Sequence, residues 1–213
     1  MFYKMLIYYG QNMGAFWSGV LTHLTISLEV VLVSICIGVP LGILCAKNEK
    51  SARIISSSVN VLRVIPSLAL MVILIPLMGI GKTPAIIALT ILAIPPVMIN
   101  TSVGFLSIEP MVLETARGMG MSPAQSFRKV EVPLAFPLIL TGIRTSAVET
   151  IASASIAAYI GAGGLGNLVF TGIGVNRAEI VLLGGLSIAI ISIGTDLILS
   201  FVQSRFGRIW DNN

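Results

Sequence analysis

Charge is what this sequence has least of. Asp, Glu, Lys and Arg make up only 10% of its 213 residues, against about 25% in ordinary soluble domains. So few charges exclude a water-solvated surface of ordinary size. Histidine occurs once, at His23, and cysteine twice, at Cys36 and Cys45. No His, Cys and carboxylate cluster has metal-ligand spacing, so no metal is expected. The cysteines share one apolar run, which fits neither a zinc motif nor a secreted disulfide framework. No serine or cysteine stands in a nucleophile elbow or beside a base in the sequence, so no catalytic residue is expected. Basic residues do not cluster beside aromatics, which argues against a nucleic-acid partner. The N-terminal stretch lacks a basic n-region and a small-x-small cleavage site, and no removable signal peptide is expected.

What fills the space is apolar. Hydrophobic residues are 55% of the chain and the mean hydropathy is +0.97, which implies lipid as the solvent. A spanning helix needs about 20 apolar residues to cross a core of about 30 Å. Five runs meet that length, at about 20–46, 57–79, 84–106, 137–160 and 179–203. They divide the chain into an interfacial segment 1–19, one transmembrane domain 20–203 and a tail 204–213. The first segment carries Phe2, Tyr3, Tyr8, Tyr9, Phe16 and Trp17, side chains that favour the membrane–water boundary. With five spans, Lys47, Lys50, Arg53, Arg63, Arg117, Arg128, Lys129, Arg144, Arg205 and Arg208 fall on one side. Lys4, Lys82 and Arg177 fall on the other. The basic side is expected to be cytoplasmic, which puts the N-terminus outside and the C-terminus inside.

Proline interrupts several runs: Pro40 the first, Pro66 and Pro76 the second, Pro95 and Pro96 the third. Each removes a backbone donor and predicts a break or kink, tolerated in lipid where neighbours or a cavity satisfy the freed carbonyl. Such sites suit a gated pathway as well as plain kinked packing. Gly38-x-x-x-Gly42 offers a close helix contact. The string GAGGLG at 161–166 matches a dinucleotide fingerprint, but a membrane run precedes it where that fingerprint needs a strand. It reads as a turn requiring positive φ or close backbone approach. Asn100-Thr101-Ser102 matches a glycosylation acceptor but sits at the end of a span. Glu29, Glu149 and Asp196 lie at membrane depth, where charges are costly and face a partner, the bundle interior or water. For Glu149 the readings are pathway lining and a snorkelling pair with Arg144.

The segment 107–136 is different. Pro110 starts a helix through Glu114 and Arg117, and Gly118 and Gly120 stop it. Ser122, Pro123 and Gln125 restart a helix as N-cap, first position and capping-box partner. Pro133 ends or kinks it before the fourth run. Met111, Val112, Ala116, Phe127, Val130 and Leu134 form an apolar side. Glu114–Arg117 and Arg128–Glu131 fall at i,i+3 spacing for surface pairs. The pattern predicts a rigid elbow shaped to insert into another protein.

Glu114-Thr115-Ala116, three residues, Gly120, nine residues, then Val130-Glu131-Val132-Pro133 resembles the EAA loop of membrane permeases in bacterial binding-protein-dependent ABC importers. The family pattern is E-A-A, three residues, G, nine residues, I-x-L-P. Thr115, Val130 and Val132 depart from it; Gly120 and Pro133 keep it. The runs IPSLALMVILIPLMGIGKTPAIIALTILAIPPV (65–97) and GIRTSAVETIASASIAAYIGAGGLG (142–166) resemble the osmoprotectant subclass, which carries glycine betaine, carnitine and choline. Methionine-importer permeases share the plan and the glycine-rich turn but are less similar around GIGKTPAIIAL. Glu149 stands where that subclass has an apolar, aromatic or amide side chain.

The resemblance implies an all-α membrane protein with five transmembrane helices, the type I importer permease fold, and a cytoplasmic coupling-helix loop. It implies a bacterial inner-membrane transport subunit, not an enzyme, with ATP held by partner subunits and no cofactor of its own. The implied partners are a cytoplasmic ATPase dimer, a second permease chain (identical or homologous) and an extracytoplasmic substrate-binding protein. Glu114, Ala116 and Gly120 match the motif and are expected at the ATPase contact, with Met121, Ser122, Pro123 and Arg128 around them. Glu149, Pro66, Pro95 and Pro96 are the candidates for pathway or gate. A stand-alone channel or secondary carrier is the competing reading from another class, on the broken runs and membrane carboxylates.

Overall fold

The computed structural model describes residues 1–48, 50, 52, 53, 55, 59 and 64–211, with side chains described through Arg205. The described residues are predominantly helical and contain no strand. The elements are α1 (Phe2–Gln11), α2 (Met13–Lys47), α3 (Ser67–Met78), α4 (Lys82–Leu106), α5 (Pro110–Gly118) and α6 (Pro123–Ser126). A π-helical turn (Phe127–Glu131) joins α6 to α7 (Val132–Ala157). A 3₁₀ turn (Ala158–Ile160) then leads to α8 (Gly166–Gly174) and α9 (Ala178–Asp211).

Among the described residues, four helical stretches are long and apolar enough to cross a membrane: Met13–Lys47, Lys82–Leu106, Pro123–Ile160 and Ala178–Arg205. The expected second span, 57–79, has most of its first half outside the described residues, Arg63 included. Its second half is α3, an apolar helix of 12 residues. The side chain of Arg208 also lies outside the described residues.

Between helices in lipid the hydrophobic effect gives little drive, so close packing of small residues holds the bundle. α2 and α4 meet at Gly38 and Gly42, the pair the sequence marks for close contact. A Cβ at Gly42 would stand 2.5 Å from Thr101 Cβ and 2.6 Å from the Met98 carbonyl oxygen. α4 and α7 meet the same way, where a Cβ at Gly142 would lie 2.7 Å from the Pro96 carbonyl oxygen. Around these contacts Ile26, Val30, Met71, Ala88, Leu89 and Ala154 form a core shared by α2, α3, α4 and α7.

The prolines do less than the sequence predicts. Pro40 lies inside continuous α2, Pro76 inside α3, and Pro95 with Pro96 inside continuous α4. Only Pro66 marks a boundary, as the extended residue before α3. A proline costs a helix one donor and frees the carbonyl four residues earlier, and α2 and α4 stay continuous despite that loss. Beside the proline pair of α4, the Ser146 hydroxyl of α7 donates to the Ala93 carbonyl at 2.9 Å, and within α4 Asn100 Nδ2 donates to the Pro96 carbonyl at 2.9 Å.

The glycine-rich turn 161–166 follows a helix, so the geometry of a dinucleotide strand–turn–helix is not there. Gly161, Gly163 and Gly164 have φ of +79°, +86° and +85°, a region that disfavours other residues. The turn folds onto α2, where a Cβ at Gly164 would sit 3.2 Å from His23 Nδ1. His23 is buried and its Nε2 donates to the Ile151 carbonyl at 2.9 Å. The lone histidine thus joins α2, α7 and this turn.

Candidate functional site

The elbow is built as its residues dictate. Glu109 precedes α5 in an extended conformation and Pro110 occupies its first turn. At the other end Gly120 takes φ of +78°. The Gly120 N–H donates to the Arg117 carbonyl at 2.9 Å and the Met121 N–H to the Ala116 carbonyl at 3.2 Å. Those two bonds are a complete Schellman stop, which closes the last free carbonyls of the helix. Two residues later Ser122 caps α6. Its Oγ accepts from the Gln125 N–H at 3.4 Å, and Gln125 Oε1 accepts from the Ser122 N–H at 2.9 Å. Stop and restart therefore lie within three residues, one made by backbone bonds and the other by a side-chain capping box.

The faces of the elbow differ from the expectation in part. Ala116 is buried, and so is Ser126. Met111 and Val112, expected on the apolar side, are 73% and 37% exposed, and Met119 is 73% exposed. Glu114, Arg117, Pro123 and Arg128 are exposed as well. Only Ala116 roots α5 in the fold, and an apolar edge with charges on both sides is left outward. Neither expected surface pair forms; the ion pairs among the described residues are Arg144–Asp196 and Arg177–Glu179. Glu131 instead accepts a long 3.5 Å bond from Ser126 Oγ.

Pro133 does not end the helix. The chain passes from α6 to α7 through the π-turn, where the Val132 N–H donates to the Phe127 carbonyl, and Pro133 stands in the first turn of α7. On this turn Phe127 stacks on Phe105 of α4, with centroids 5.7 Å apart and planes 11° from parallel. Lys47, at the end of α2, places its Nζ 4.3 Å above the Phe127 ring, a cation–π contact. The elbow is thereby tied to the ends of two spans. Nothing in the sequence marks this stack, because its three residues lie far apart along the chain.

The membrane carboxylates are sorted by the structure. Arg144 grips Asp196 of α9 with two bonds, Nε to Oδ1 at 2.5 Å and Nη2 to Oδ2 at 2.7 Å. The expected Arg144–Glu149 pair is therefore absent. Five residues along a helix turn a side chain by roughly 140°, so Glu149 points to another side of α7. One helical step away, Gln203 Nε2 donates to Thr141 Oγ1 at 2.8 Å, extending a polar seam between α7 and α9. Glu149 is exposed and has no hydrogen-bond or ion-pair partner among the described residues. It lines a recess of about 40 Å³ with Leu89, Leu92, Ala93, Thr150 and Ser153. Pro95 and Pro96 are buried in α4 and Pro66 is exposed before α3; none of the three lines this recess, whose α4 side is Leu89, Leu92 and Ala93. No group of three or more potential metal ligands occurs among the described residues.

Residues 38–208 match the family described as binding-protein-dependent transport system inner membrane component. The choline transport system permease protein OpuBB of Bacillus subtilis (strain 168) is 39% identical over 86% of this chain and 84% of its own. The carnitine transport permease protein OpuCB of Listeria monocytogenes is 40% identical over the same shares. The osmoprotectant import permease protein OsmW of Salmonella typhimurium is 38% identical over 90% of this chain and 92% of its own. Among solved structures, a chain of the MetNI methionine ABC transporter in inward-facing conformations superposes with a TM-score of 0.79. It is 25% identical, covering 93% of this chain and 97% of the other.

Proposed function

The chain belongs to the family of binding-protein-dependent transport system inner membrane components, and from that premise we propose its task. It is the membrane-spanning permease subunit of an ATP-driven importer for quaternary-amine osmoprotectants such as glycine betaine, carnitine and choline. The observation that carries this reading is likeness along nearly the whole chain to permeases named for those solutes. The methionine transporter shares the fold at lower identity, which makes a methionine-type solute the second choice.

In this reading α3 and the residues before it form a fifth span, the N-terminus is outside, and α5 and α6 project into the cytoplasm. The chain pairs with a second permease, identical or homologous, and an extracytoplasmic binding protein delivers the solute. Each of two ATPase subunits receives one elbow in a surface groove. Glu114, Ala116, Gly120, Met121, Ser122, Pro123 and Arg128 make or shape that contact. The paired caps at Gly120 and Ser122 support this role, since a short, well-capped connection passes motion on where a loose loop would absorb it. ATP binds the partners, and the permease converts their closure into alternating access.

Reconstitution tests the proposal directly. Proteoliposomes holding the permease, its ATPase and its binding protein are expected to import radiolabelled choline or glycine betaine only with ATP. The Gly120→Asp variant is expected to insert normally and import nothing. Uptake without ATP or partners would establish a channel or carrier instead, and normal uptake by Gly120→Asp would remove the elbow from the coupling path.

A further inference from the structure

Of the three intramembrane carboxylates, Glu29 and Glu149 are exposed with no hydrogen-bond or ion-pair partner among the described residues, and Glu149 is the one that lines the recess on α7. Arg144 neutralises Asp196, while Glu149 is exposed on α7 with no ion pair among the described residues. A bare carboxylate at membrane depth is stable only where it meets water or a cation. The recess beside Glu149 is lined by Thr150 and Ser153 as well as by Leu89, Leu92 and Ala93. Ala152 and Tyr159 continue the exposed stripe of α7 toward the glycine-rich turn. Tyr159 lies about 15 Å farther along, is 65% exposed and meets Phe170 of α8 with ring centroids 5.6 Å apart. An aromatic pair followed by a carboxylate along one stripe is the chemistry that attracts an alkylammonium group: ring faces first, then a full negative charge.

We propose that this stripe of α7 lines the solute path and that Glu149 makes the path selective for solutes of net positive charge. The inference rests on the permease reading above. It adds a discrimination made by the membrane subunit itself, apart from any made by a delivering binding protein. A cationic amine such as choline gains the whole attraction of the carboxylate. A zwitterion such as glycine betaine brings its own carboxylate to the same place and loses much of that gain.

The test is uptake of choline and of glycine betaine by the reconstituted complex, with the same ATPase and binding protein throughout. Glu149→Gln is expected to lower the choline-to-betaine uptake ratio about tenfold, the change that corresponds to roughly 1.4 kcal/mol. Glu149→Asp is expected to keep the ratio, and Glu29→Gln on α2 serves as a control for general charge effects. An unchanged ratio in Glu149→Gln overturns the inference while leaving the permease reading intact; absence of quaternary-amine uptake by the unaltered complex defeats that reading instead. Thiol labelling reads the face whatever the solute. With Cys36 and Cys45 replaced by alanine, Ser153→Cys is expected to react faster with a cationic water-soluble thiosulfonate than with an anionic one. A thiol unreactive to both would place this stripe against lipid and sink the proposal.

Discussion

At the scale of single residues, glycine carries most of the specificity. Gly42 lets α2 approach the Met98 carbonyl and Thr101 of α4 more closely than any side chain allows. Leucine there must push two spans apart, and overpacking of this kind costs about 1–3 kcal/mol or more. Gly42→Leu is expected to lower the unfolding temperature in detergent clearly, whereas Gly10→Ala, with nothing within 4 Å of its Cβ position, should leave it unchanged or slightly higher. Gly120 has the other reason, a φ of +78°. Gly120→Ala forces the left-handed region on a residue with a Cβ, at about 1–2 kcal/mol. Because the elbow is exposed, that strain is expected to reduce ATP-driven uptake more than it reduces overall stability, as parallel uptake and melting measurements would reveal.

Between elements, the most consequential contact is the Arg144–Asp196 pair of α7 and α9. Removing one partner leaves a charge at membrane depth, which is more harmful than removing both. Arg144→Met and Asp196→Leu are each expected to reduce the yield of folded protein in detergent, and the double variant to recover most of it. A double variant no better than either single one would show that the pair does not bind the helices together. The capping box of α6 allows a gentler test. Ser122→Ala loses the side-chain cap, a change of about 1 kcal/mol, and is expected to loosen α6 with no effect on the spans. Faster amide hydrogen exchange confined to residues 122–126 would be the signature.

For the molecule as a whole, an exposed, charged elbow stands out against the apolar spans among the described residues. Met119 stands 73% exposed at its tip. With the native cysteines replaced, Met119→Cys is expected to react with an impermeant thiol reagent in inside-out vesicles and to be silent in right-side-out ones. Adding the ATPase should then protect it. The reverse sidedness would invert the orientation deduced from lysine and arginine placement. Protection by the ATPase would also identify the exposed edge of Met111, Val112 and Met119 as the surface that becomes buried in the complex.

Much of this was legible in the order of residues. Apolar length marked four of the five expected runs, which form helices long enough to cross a membrane among the described residues, because a hydrocarbon core of about 30 Å needs about 20 apolar residues. Ser122, Pro123 and Gln125, like Gly118 and Gly120, act on the backbone within a few residues, so local chemistry determined the stop and restart of the elbow. Gly38 and Gly42 announce a close contact but not its partner. What the tertiary structure alone decided are matters between distant residues. It joins Lys47 to Phe127 and Phe105, commits Arg144 to Asp196, and so leaves Glu149 unpaired. It also keeps helices running through Pro40, Pro95 and Pro96, where one lost backbone bond is outweighed by the packing of the helix on its neighbours. Spacing along a chain states which groups a segment must satisfy, and only packing determines which of the distant candidates satisfies them.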